Sequence, residues 1–378
     1  MSKLELIATS TFGLEAVVAR EVKDLGYGDV SVENGRVTFS ADESAICRAN
    51  LWLRTADRVR LKVGEFEAVT FDQLFENTKG LPWGDLLPED AAFPVDGKSV
   101  QSTLFSISDC QAIVKKAIVE SMKKRYRTDW FKEDGPLYRV EVSMLKDVAT
   151  LSIDTSGPGL HKRGYRSGGS EAPLKETLAA GLIQIARWQP DIALIDPLCG
   201  SGTIPIEAAL IGLNIAPGMN RTFVSEQWPT IPRECWREAR KETHDRAAYD
   251  RELDITGTDI DSRSIKIARE NAAAADIEDR VHFQVRPLSG LSSRKKYGKV
   301  ICNPPYGERI SSRKEAEQLY KEMGSLFKEL DTWSFYIISP HENFEALFGK
   351  KASKRRKLYH GNIMVQYYQY FGPRPPRR

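Results

Sequence analysis

The stretch Ile192-Ala193-Leu194-Ile195-Asp196-Pro197-Leu198-Cys199-Gly200-Ser201-Gly202-Thr203 decides the fold of the C-terminal half of the chain. Its apolar start predicts a short buried strand over 192–195, and the apolar residues over 204–213 predict a helix. A strand that enters a helix through a glycine turn is typical of nucleotide-binding sheets, because glycine lets a cofactor approach the backbone. We therefore predict a doubly wound α/β unit with a cofactor at this turn.

The glycine turn does not fit a dinucleotide-binding dehydrogenase. The full fingerprint needs Gly or Ala at position 205, where this chain has Pro205. Asp259, which ends the next predicted strand, also comes too late for a compact NAD-binding unit. A carboxylate at that place can accept both hydroxyls of a ribose, so we predict that Asp259 binds a ribose. Asp261 is then the cap of the helix predicted over 262–275.

A further short strand, predicted over 299–302, ends at Asn303-Pro304-Pro305-Tyr306. The prolines end the strand because they cannot donate ladder hydrogen bonds, and ligands bind at this edge of open α/β sheets. The Asn303 side-chain oxygen and the Pro304 carbonyl could each accept one N–H of a nucleobase amine. The nitrogen lone pair would then face an electrophilic methyl group, with Tyr306 stacked on the base. A capped proline turn is also common in ordinary loops, so context must decide.

The composition indicates a globular protein of ordinary character. The 378 residues allow two or more domains, and 41% apolar with 28% charged residues is typical of soluble proteins. The five cysteines show neither CxxC nor Cys/His spacing, which predicts reduced thiols and no structural zinc. The N-terminus has no signal-peptide pattern, and no apolar run reaches about 18 residues, so we expect a cytoplasmic protein.

The N-terminal half shows two successive α+β patterns. Over 1–68 the order β-α-β-β-α-β, with Asn34-Gly35 as a hairpin turn, predicts a ferredoxin-like domain. The second pattern continues to residue 160 and predicts, in order, a helix over 71–79, a strand over 100–107, a helix over 110–122 and a hairpin of 138–145 with 148–154. The α/β half, 161–378, then opens with a helix over 171–187 and contains an insertion at about 214–253.

Positive charge is concentrated locally, although the formal net charge is only +3. Lys123, Lys124 and Arg125 end the predicted helix beside Tyr126 and Trp130, and we predict that they contact an RNA backbone. The alternative is the favourable placement of cations at a helix C-terminus. A Gly/Pro-rich segment over 154–166 marks a domain boundary, where phosphate contacts are also expected. The isolated His161 within it receives no catalytic assignment.

The motifs taken together resemble those of class I S-adenosylmethionine-dependent methyltransferases. They are Asp-Pro-Leu-Cys-Gly-Ser-Gly-Thr at 196–203, Gly-Thr-Asp-Ile-Asp at 257–261 and Asn-Pro-Pro-Tyr-Gly-Glu-Arg at 303–309. More narrowly, the segments 160–166, 172–179 and 356–359 resemble the THUMP-domain RNA guanine-N2 methyltransferases, which include the bacterial enzyme for a guanine in large-subunit (23S) ribosomal RNA. The resemblance spans nearly the whole chain.

The resemblance implies a ferredoxin-like domain over 1–68, a THUMP RNA-binding domain over 69–160 and a Rossmann-like methyltransferase domain over 161–378. It implies S-adenosylmethionine as cofactor and RNA as partner; we expect a monomer that binds neither a metal ion nor a membrane. The predicted cofactor-binding residues are Asp196, Pro197, Cys199, Gly200, Gly202, Thr203, Asp259, Ile260 and Thr177. The predicted catalytic residues are Asn303, Pro304, Pro305 and Tyr306. The predicted RNA-binding residues are Lys123, Lys124, Arg125, Lys162, Arg163 and Arg166.

Two departures from the family pattern stand out. The segment 281–288 lacks the Asp that many relatives place near the adenine amino group, and His360 stands where we expect Asn. Three alternative functions also stay open: a tRNA guanine-N2 methyltransferase, an adenine-N6 DNA methyltransferase, and an RNA-binding factor without catalysis. The intact set of Gly200, Gly202, Asp259 and Asn303 speaks against the last.

Overall fold

The computed structural model describes residues 3–166, 174–307 and 313–376. The chain divides into two compact units. One unit contains Met1–Thr9, Ala19–Leu160 and Thr222–Glu242, and the other contains Ser10–Val18, His161–Arg221 and Thr243–Arg378. No helix within the described ranges is long and apolar enough to cross a membrane.

Between residues 3 and 160 the chain alternates strands and helices as the two α+β patterns predict. The elements are β1 (Leu4–Ser10), α1 (Glu15–Asp24), β2 (Ser31–Glu33), β3 (Arg36–Ala41), α2 (Ser44–Trp52), β4 (Ala56–Glu67), α3 (Phe71–Lys79), α4 (Trp83–Leu86), β5 (Val95–Val100), α5 (Ile107–Tyr126), β6 (Val140–Leu145) and β7 (Val148–Asp154). All the strands join one seven-stranded sheet in the order β2-β3-β1-β4-β7-β6-β5. The two predicted patterns therefore share a sheet, because the long strand β4 pairs with β7.

The strand predicted over 100–107 is wrong, since β5 ends at Val100 and a loop follows. β5 can be polar because it lies at the edge of the sheet, where it pairs with β6. At Gly97 an added Cβ would lie 3.1 Å from the Cγ2 of Ile107, so this glycine lets α5 pack closely on the strand. Helix α5 also begins earlier than the predicted start at residue 110, since its first residue is Ile107 and its cap is Ser106.

From residue 174 to residue 376 the elements are α6 (Glu176–Ile185), β8 (Leu194–Asp196), α7 (Thr203–Gly212), α8 (Arg233–Asp245), β9 (Ile255–Asp259), α9 (Ser262–Ala274), β10 (His282–Val285), β11 (Lys299–Cys302), α10 (Arg313–Leu326), β12 (Ser334–Ser339), α11 (Phe344–Phe348), β13 (Lys354–His360) and β14 (Ile363–Tyr370). Their strands form a seven-stranded sheet in the order β10-β9-β8-β11-β12-β14-β13. The first five strands of that order are parallel, and β14 runs antiparallel to both of its neighbours, β12 and β13. The chain order reverses between β8 and β11, which is the place where such sheets bind ligands.

Helix α6 is shorter than the predicted helix over 171–187, of which 171–173 lie outside the described residues. Its residues from Glu176 to Ile183 are all buried, so it is a core helix and not an amphipathic one. Gly181 allows a close contact there, since an added Cβ would lie 2.8 Å from the Cδ2 of Leu14. Strand β13 was not predicted, and its four consecutive basic residues, Lys354 to Lys357, lie on the edge strand of the sheet.

Part of the predicted insertion, Thr222–Glu242, belongs to the first unit. Trp228 stacks on Tyr138 with ring centroids 4.3 Å apart, and its indole N–H donates to the Leu137 carbonyl at 2.9 Å. Helix α8 carries many charged side chains. It nevertheless buries Trp236, which stacks on Phe223 at 5.4 Å.

Candidate active site

Three strands of the second sheet end beside one another with polar residues. β8 ends at Asp196, β9 ends at Asp259, and β11 is followed directly by Asn303. The parallel registers place Asp196 opposite Gly257, and Val300 opposite Ile195. Because the carboxyl ends of parallel strands share one edge of the sheet, these residues lie along that edge, where the chain order reverses. The structure thus brings together the residues that the sequence assigns to the cofactor and to the target base.

Asp259 holds the glycine turn. Its Oδ2 accepts a hydrogen bond from the Gly200 N–H at 2.9 Å, and its Oδ1 accepts one from the Asp261 N–H at 3.0 Å. The sequence interpretation did not foresee this structural role. Each carboxylate oxygen can accept more than one hydrogen bond, so the two oxygens can still receive ribose hydroxyls. Asp261 caps α9 as predicted, accepting from the N–H groups of Arg263 and Ser264.

The two glycines of the turn are needed for different reasons. Gly200 has φ +52°, and an added Cβ would meet nothing within 4 Å, so its backbone faces open space. Gly202 has φ +82°, and an added Cβ would lie 2.9 Å from the Cζ of Phe283. Gly202 is therefore required by packing, whereas Gly200 leaves room for a ligand at the backbone.

Two apolar side chains beside Asp259 are open to solvent. Ile260 is 72% exposed. Val285 of β10, which is paired with Asp259 of β9, is 48% exposed. Exposed apolar groups next to a ribose-binding carboxylate are a surface on which an adenine ring can pack. The residues present thus fit S-adenosylmethionine. Arg286 follows β10, so the sequence offers no carboxylate at that strand end for the adenine amino group.

Asp196 is 1% exposed and accepts a hydrogen bond from the Leu198 N–H at 3.2 Å. Burial raises the pKa of Asp196 well above its usual range, the Leu198 N–H opposes this, and the nearby charge of Asp259 adds to it. Burial and the charge of Asp196 likewise raise the pKa of the Cys302 thiol. A cationic ligand group beside Asp196 would relieve the unfavourable charge, and the ammonium of a bound methionine moiety is such a group.

The remaining predicted cofactor residues are mostly buried around the turn. They are Pro197, Cys199, Thr203 and, on α6, Thr177. Thr203 accepts a hydrogen bond from Nη2 of Arg166 at 3.3 Å. Burial raises the pKa of the Cys199 thiol, which keeps it protonated and unreactive.

Asn303 is engaged by Tyr306. The Tyr306 hydroxyl donates to the Asn303 Oδ1 at 2.7 Å and lies 3.3 Å from the Nδ1 of His360. Burial raises the pKa of Tyr306, so its hydroxyl is neutral. The Tyr320 hydroxyl donates to the Pro305 carbonyl at 3.0 Å, which pins the Pro-Pro turn. One lone pair of the Asn303 oxygen is therefore used within the protein, and the other can accept from a substrate amine.

The predicted RNA contacts of the second unit need one correction. Lys162 is exposed, but Arg163 is 5% exposed and lies 3.4 Å from Glu207, which is fully buried. A buried, ion-paired arginine cannot reach a phosphate, so Arg163 has a structural role. Arg166 is partly buried and pairs with Glu176 at 2.8 Å.

The sequence did not indicate that several basic side chains cluster around His161. Burial and the charges of Lys175, Lys162, Arg163 and Arg221 together lower the pKa of His161 to about 4. His161 is therefore neutral at pH 7, as befits a side chain among cations. Lys175 lies in the quoted segment 172–179, but only the fold brings it to His161.

In the first unit, Lys124 and Arg125 at the end of α5 are exposed, while Lys123 pairs with Glu120 at 3.0 Å. Trp130 is 80% exposed and can stack on a base. Tyr126 is held inside, since its hydroxyl lies within hydrogen-bond distance of two backbone carbonyls.

The first unit also contains a cleft of about 690 Å³ lined by Arg58, Arg60 and Arg139. Each of these arginines faces a carboxylate: Asp154 for Arg58, Glu141 for Arg60 and Asp96 for Arg139. The charges balance, so the cleft offers little net attraction for phosphate. Within the described parts of the chain, no group of three or more His, Cys, Asp or Glu side chains could hold a metal ion.

Comparison with known families agrees with this geometry. Residues 163–369 match the family described as RMKL-like, methyltransferase domain. The chain belongs to this family. Residues 5–60 match the RlmL ferredoxin-like domain and residues 68–154 match the THUMP domain. The predicted fold class and the resemblance to THUMP-containing methyltransferases are thus confirmed, and the predicted domain limits stay predictions.

Two curated relatives are similar over most of this chain. One, from Bacillus subtilis (strain 168), is named "Putative RNA methyltransferase YpsC"; it is 53% identical over all of this chain and 98% of its own length. The other, from Psychromonas ingrahamii, is named ribosomal RNA large subunit methyltransferase K/L. It is 34% identical over 93% of this chain. The match covers 48% of that relative, so this chain spans about half of the relative's length.

Two solved structures are also similar. The crystal structure of SMU.472 complexed with SAH has a TM-score of 0.94 at 45% identity, with all of both chains covered. A structure from Listeria monocytogenes, named as a "predicted N6-adenine-specific DNA methylase", has a TM-score of 0.94 at 55% identity. It covers 99% of this chain and 97% of its own. The fold of this RMKL-like methyltransferase is therefore shared over the whole chain.

Proposed function

We propose that this protein transfers a methyl group to the exocyclic N2 amine of a guanine in RNA, with large-subunit (23S) ribosomal RNA as the substrate. S-adenosylmethionine is the methyl donor, in keeping with the SAH held by a 45%-identical neighbour. The observation that carries the proposal is the position of Asn303. Its side-chain oxygen lies at the sheet edge where Asp196 and Asp259 end the neighbouring strands.

The chain contributes positioning and not acid–base chemistry. The Asn303 oxygen and the Pro304 carbonyl accept the two N–H groups of the target amine, so the nitrogen lone pair points away from the protein groups. When bound, S-adenosylmethionine supplies an electrophilic methyl group on a sulfonium. As the amine nitrogen takes the methyl carbon, the carbon–sulfur bond would break and SAH would be the leaving group. The methylated amine, which is then cationic, loses a proton to water. Holding the reacting atoms in line is the main source of rate here.

The cofactor is held by the groups on the two neighbouring strands. Asp259 accepts the ribose hydroxyls, and Ile260 with Val285 packs on the adenine ring. Asp196 faces the ammonium of the methionine moiety. Gly200 leaves the backbone open for that moiety, which agrees with the open space at its Cα.

RNA is favoured over DNA by the N-terminal half and by the curated relatives. The chain carries a THUMP domain, and both curated relatives are named as RNA methyltransferases. Lys124, Arg125 and Trp130 offer positive charge and a stacking surface in that half, and Lys162 lies in the methyltransferase half. We place this activity in the cytoplasm, where bacterial ribosomal RNA is found, and expect a monomer.

Methylation of adenine N6 in DNA is the second candidate. The acceptor pair of Asn303 and Pro304 suits any exocyclic amine of a base, and the similar Listeria structure bears the name of an adenine-specific DNA methylase. A tRNA guanine is a third target with the same chemistry. The choice among these rests on recognition of the nucleic acid and not on the reacting groups.

The deciding experiment is mass spectrometry of nucleosides from cells with and without the gene. We expect N2-methylguanosine to fall in ribosomal RNA alone. Loss from tRNA alone, or loss of N6-methyladenine from DNA, would overturn the substrate assignment. In the same cells, a copy encoding Asn303→Ala should not restore the modification, although the purified variant should bind SAH as the wild type does.

A further inference from the structure

A chain of hydrogen bonds leads from the β13–β14 hairpin to Asn303. His360, the last residue of β13, places its Nδ1 3.3 Å from the Tyr306 hydroxyl. The Tyr306 hydroxyl in turn lies 2.7 Å from the Asn303 Oδ1. The rings of Tyr306 and His360 meet edge to face, with centroids 5.9 Å apart and an interplanar angle of 83°.

The hairpin that carries His360 is fixed in the sheet. Leu358 and Val365 pair across β13 and β14, and both are fully buried. β14 pairs with β12, which pairs with β11, so the strand that ends before Asn303 and the strand that bears His360 belong to one sheet. The turn between the hairpin strands contains Gly361 at φ +59°. His360 is thus held by packing and not by an isolated loop.

The direction in which these hydrogen bonds are donated matters for the chemistry. A tyrosine hydroxyl has one hydrogen to donate and can also accept. If the His360 Nδ1 lacks a proton, the Tyr306 hydroxyl can donate to His360 and accept from the Asn303 amide N–H. The Asn303 side chain would then be reversed and would present N–H groups to the N–H groups of the substrate. If the His360 Nδ1 carries a proton, the Tyr306 hydrogen is left for the Asn303 oxygen.

We propose that His360 donates from Nδ1 to the Tyr306 hydroxyl and thereby holds Asn303 with its oxygen toward the target amine. This inference rests on the proposed function of Asn303. His360 and the hydroxyl of Tyr306 are positioning groups, because neither needs to touch the substrate for this effect. Burial, which keeps the Tyr306 hydroxyl neutral, preserves the hydrogen that the chain needs.

The same reasoning explains how a different residue could stand at position 360. Asparagine, which the family pattern predicts there, also has a side-chain N–H that can donate to the tyrosine. Leucine has a similar size and no donor. The pair of substitutions His360→Asn and His360→Leu therefore separates donation from packing.

The test measures methyl transfer by the full-length protein to ribosomal RNA from cells lacking the gene. At saturating RNA and S-adenosylmethionine, we expect His360→Leu and Tyr306→Phe each to lower kcat by about 10- to 100-fold. The double variant should be no slower than Tyr306→Phe, because both changes interrupt the same series of hydrogen bonds. His360→Asn should recover kcat to within about three-fold of the wild type, with the affinity for SAH unchanged throughout.

Two controls accompany these variants. His282→Leu makes the same change at an exposed position of β10 and should keep the wild-type kcat. Nitrogen-15 NMR of the free protein reports protonation of His360 without any turnover, and its Nδ1 should carry a proton. Thermal unfolding identifies any variant that has lost its fold, and His360→Asn and Tyr306→Phe still test the idea if His360→Leu does not fold.

The outcomes separate this inference from the function on which it rests. Wild-type kcat in His360→Leu, additive losses in the double variant, or an unprotonated Nδ1 would overturn the positioning role alone. An equally slow His360→Asn would do the same. Wild-type protein that binds SAH but methylates no nucleic acid would overturn the proposed function, and this inference with it.

Discussion

Removing one partner of the buried pair of Arg163 and Glu207 should destabilise the protein more than removing one partner of an exposed ion pair in its second unit. The Arg163 Nε lies 3.4 Å from one Glu207 oxygen, and its Nη2 lies 3.4 Å from the other. The two side chains are 3% and 0% exposed. The Tyr165 hydroxyl also donates to Glu207 at 3.1 Å, so removal of the arginine leaves a buried carboxylate with too little compensation.

The expected loss can be stated from this geometry. Removing one partner of a buried ion pair costs about 3–5 kcal/mol, because the remaining charge stays desolvated. For Arg163→Met we therefore expect the free energy of unfolding to fall by about 3–5 kcal/mol. In a unit of this size that corresponds to a drop in Tm of about 6–20 °C.

The assay is urea unfolding, monitored by amide hydrogen exchange in α7. Exchange in α7 reports on the unit that contains Glu207. Arg313→Met, which removes an exposed partner of Glu317 in the same unit, is the matched control and should cost less than about 1 kcal/mol. The double change Arg163→Met with Glu207→Met should recover most of the loss, since no unpaired charge remains. A loss in Arg163→Met no larger than in Arg313→Met would refute the reasoning.

RNA binding by the same Arg163→Met variant tests the corrected role. A structural arginine leaves the dependence of RNA affinity on salt concentration unchanged at temperatures where the variant is folded. If Arg163 contacted a phosphate, its loss would lower the number of counterions released on RNA binding by about one, and the salt dependence would be weaker. A weaker dependence would restore the original prediction that Arg163 binds RNA.

Three further predictions concern the sites themselves. Asp259→Ala should weaken SAH binding and also loosen the turn at Gly200, and calorimetry that shows unchanged affinity would contradict its ribose role. Because burial raises the pKa of Asp196, the folded state disfavours its ionised form; the contribution of this group to stability is full below the unfolded pKa and is lost as pH rises through the folded pKa. Asp196→Asn should therefore be more stable than the wild type at neutral pH while binding SAH more weakly, and unfolding curves from pH 4 to pH 8 that coincide for the two proteins would contradict this. Replacing Lys123, Lys124 and Arg125 together by Ala should lower the salt dependence of RNA affinity by about two counterions, whereas an unchanged slope would leave these residues as helix-terminal cations only.

The strands that form the candidate site were predictable because their signals are local. The apolar runs before Asp196, Asp259 and Asn303 are short, and each is stopped by a glycine turn, a helix cap or prolines. β8, β9 and β11 are found at these runs, within one or two residues. By contrast, β5 was misplaced because an edge strand need not be apolar, and its contacts come from α5 and β6.

Charge was less informative than hydrophobicity. Arg163 and Lys162 are neighbours in a basic segment, yet Lys162 is exposed and Arg163 is buried. The difference depends on Glu207, which lies on α7 and is 44 residues away along the chain. No local pattern marks a charged residue whose partner is brought to it only by folding.

The sequence by itself determined the α/β class, the order of the strands along the chain, and the residues at three strand ends, since these follow from local runs of apolar residues and from glycine and proline. The tertiary structure alone decided which of those ends are neighbours and what holds them. It joined Asp259 to Gly200 across 59 residues of chain. It also joined His360 across 54 residues to Tyr306, which contacts Asn303 locally. The physical reason is that strand pairing and burial depend on partners far apart in the chain, whereas a turn or a cap depends on neighbouring residues.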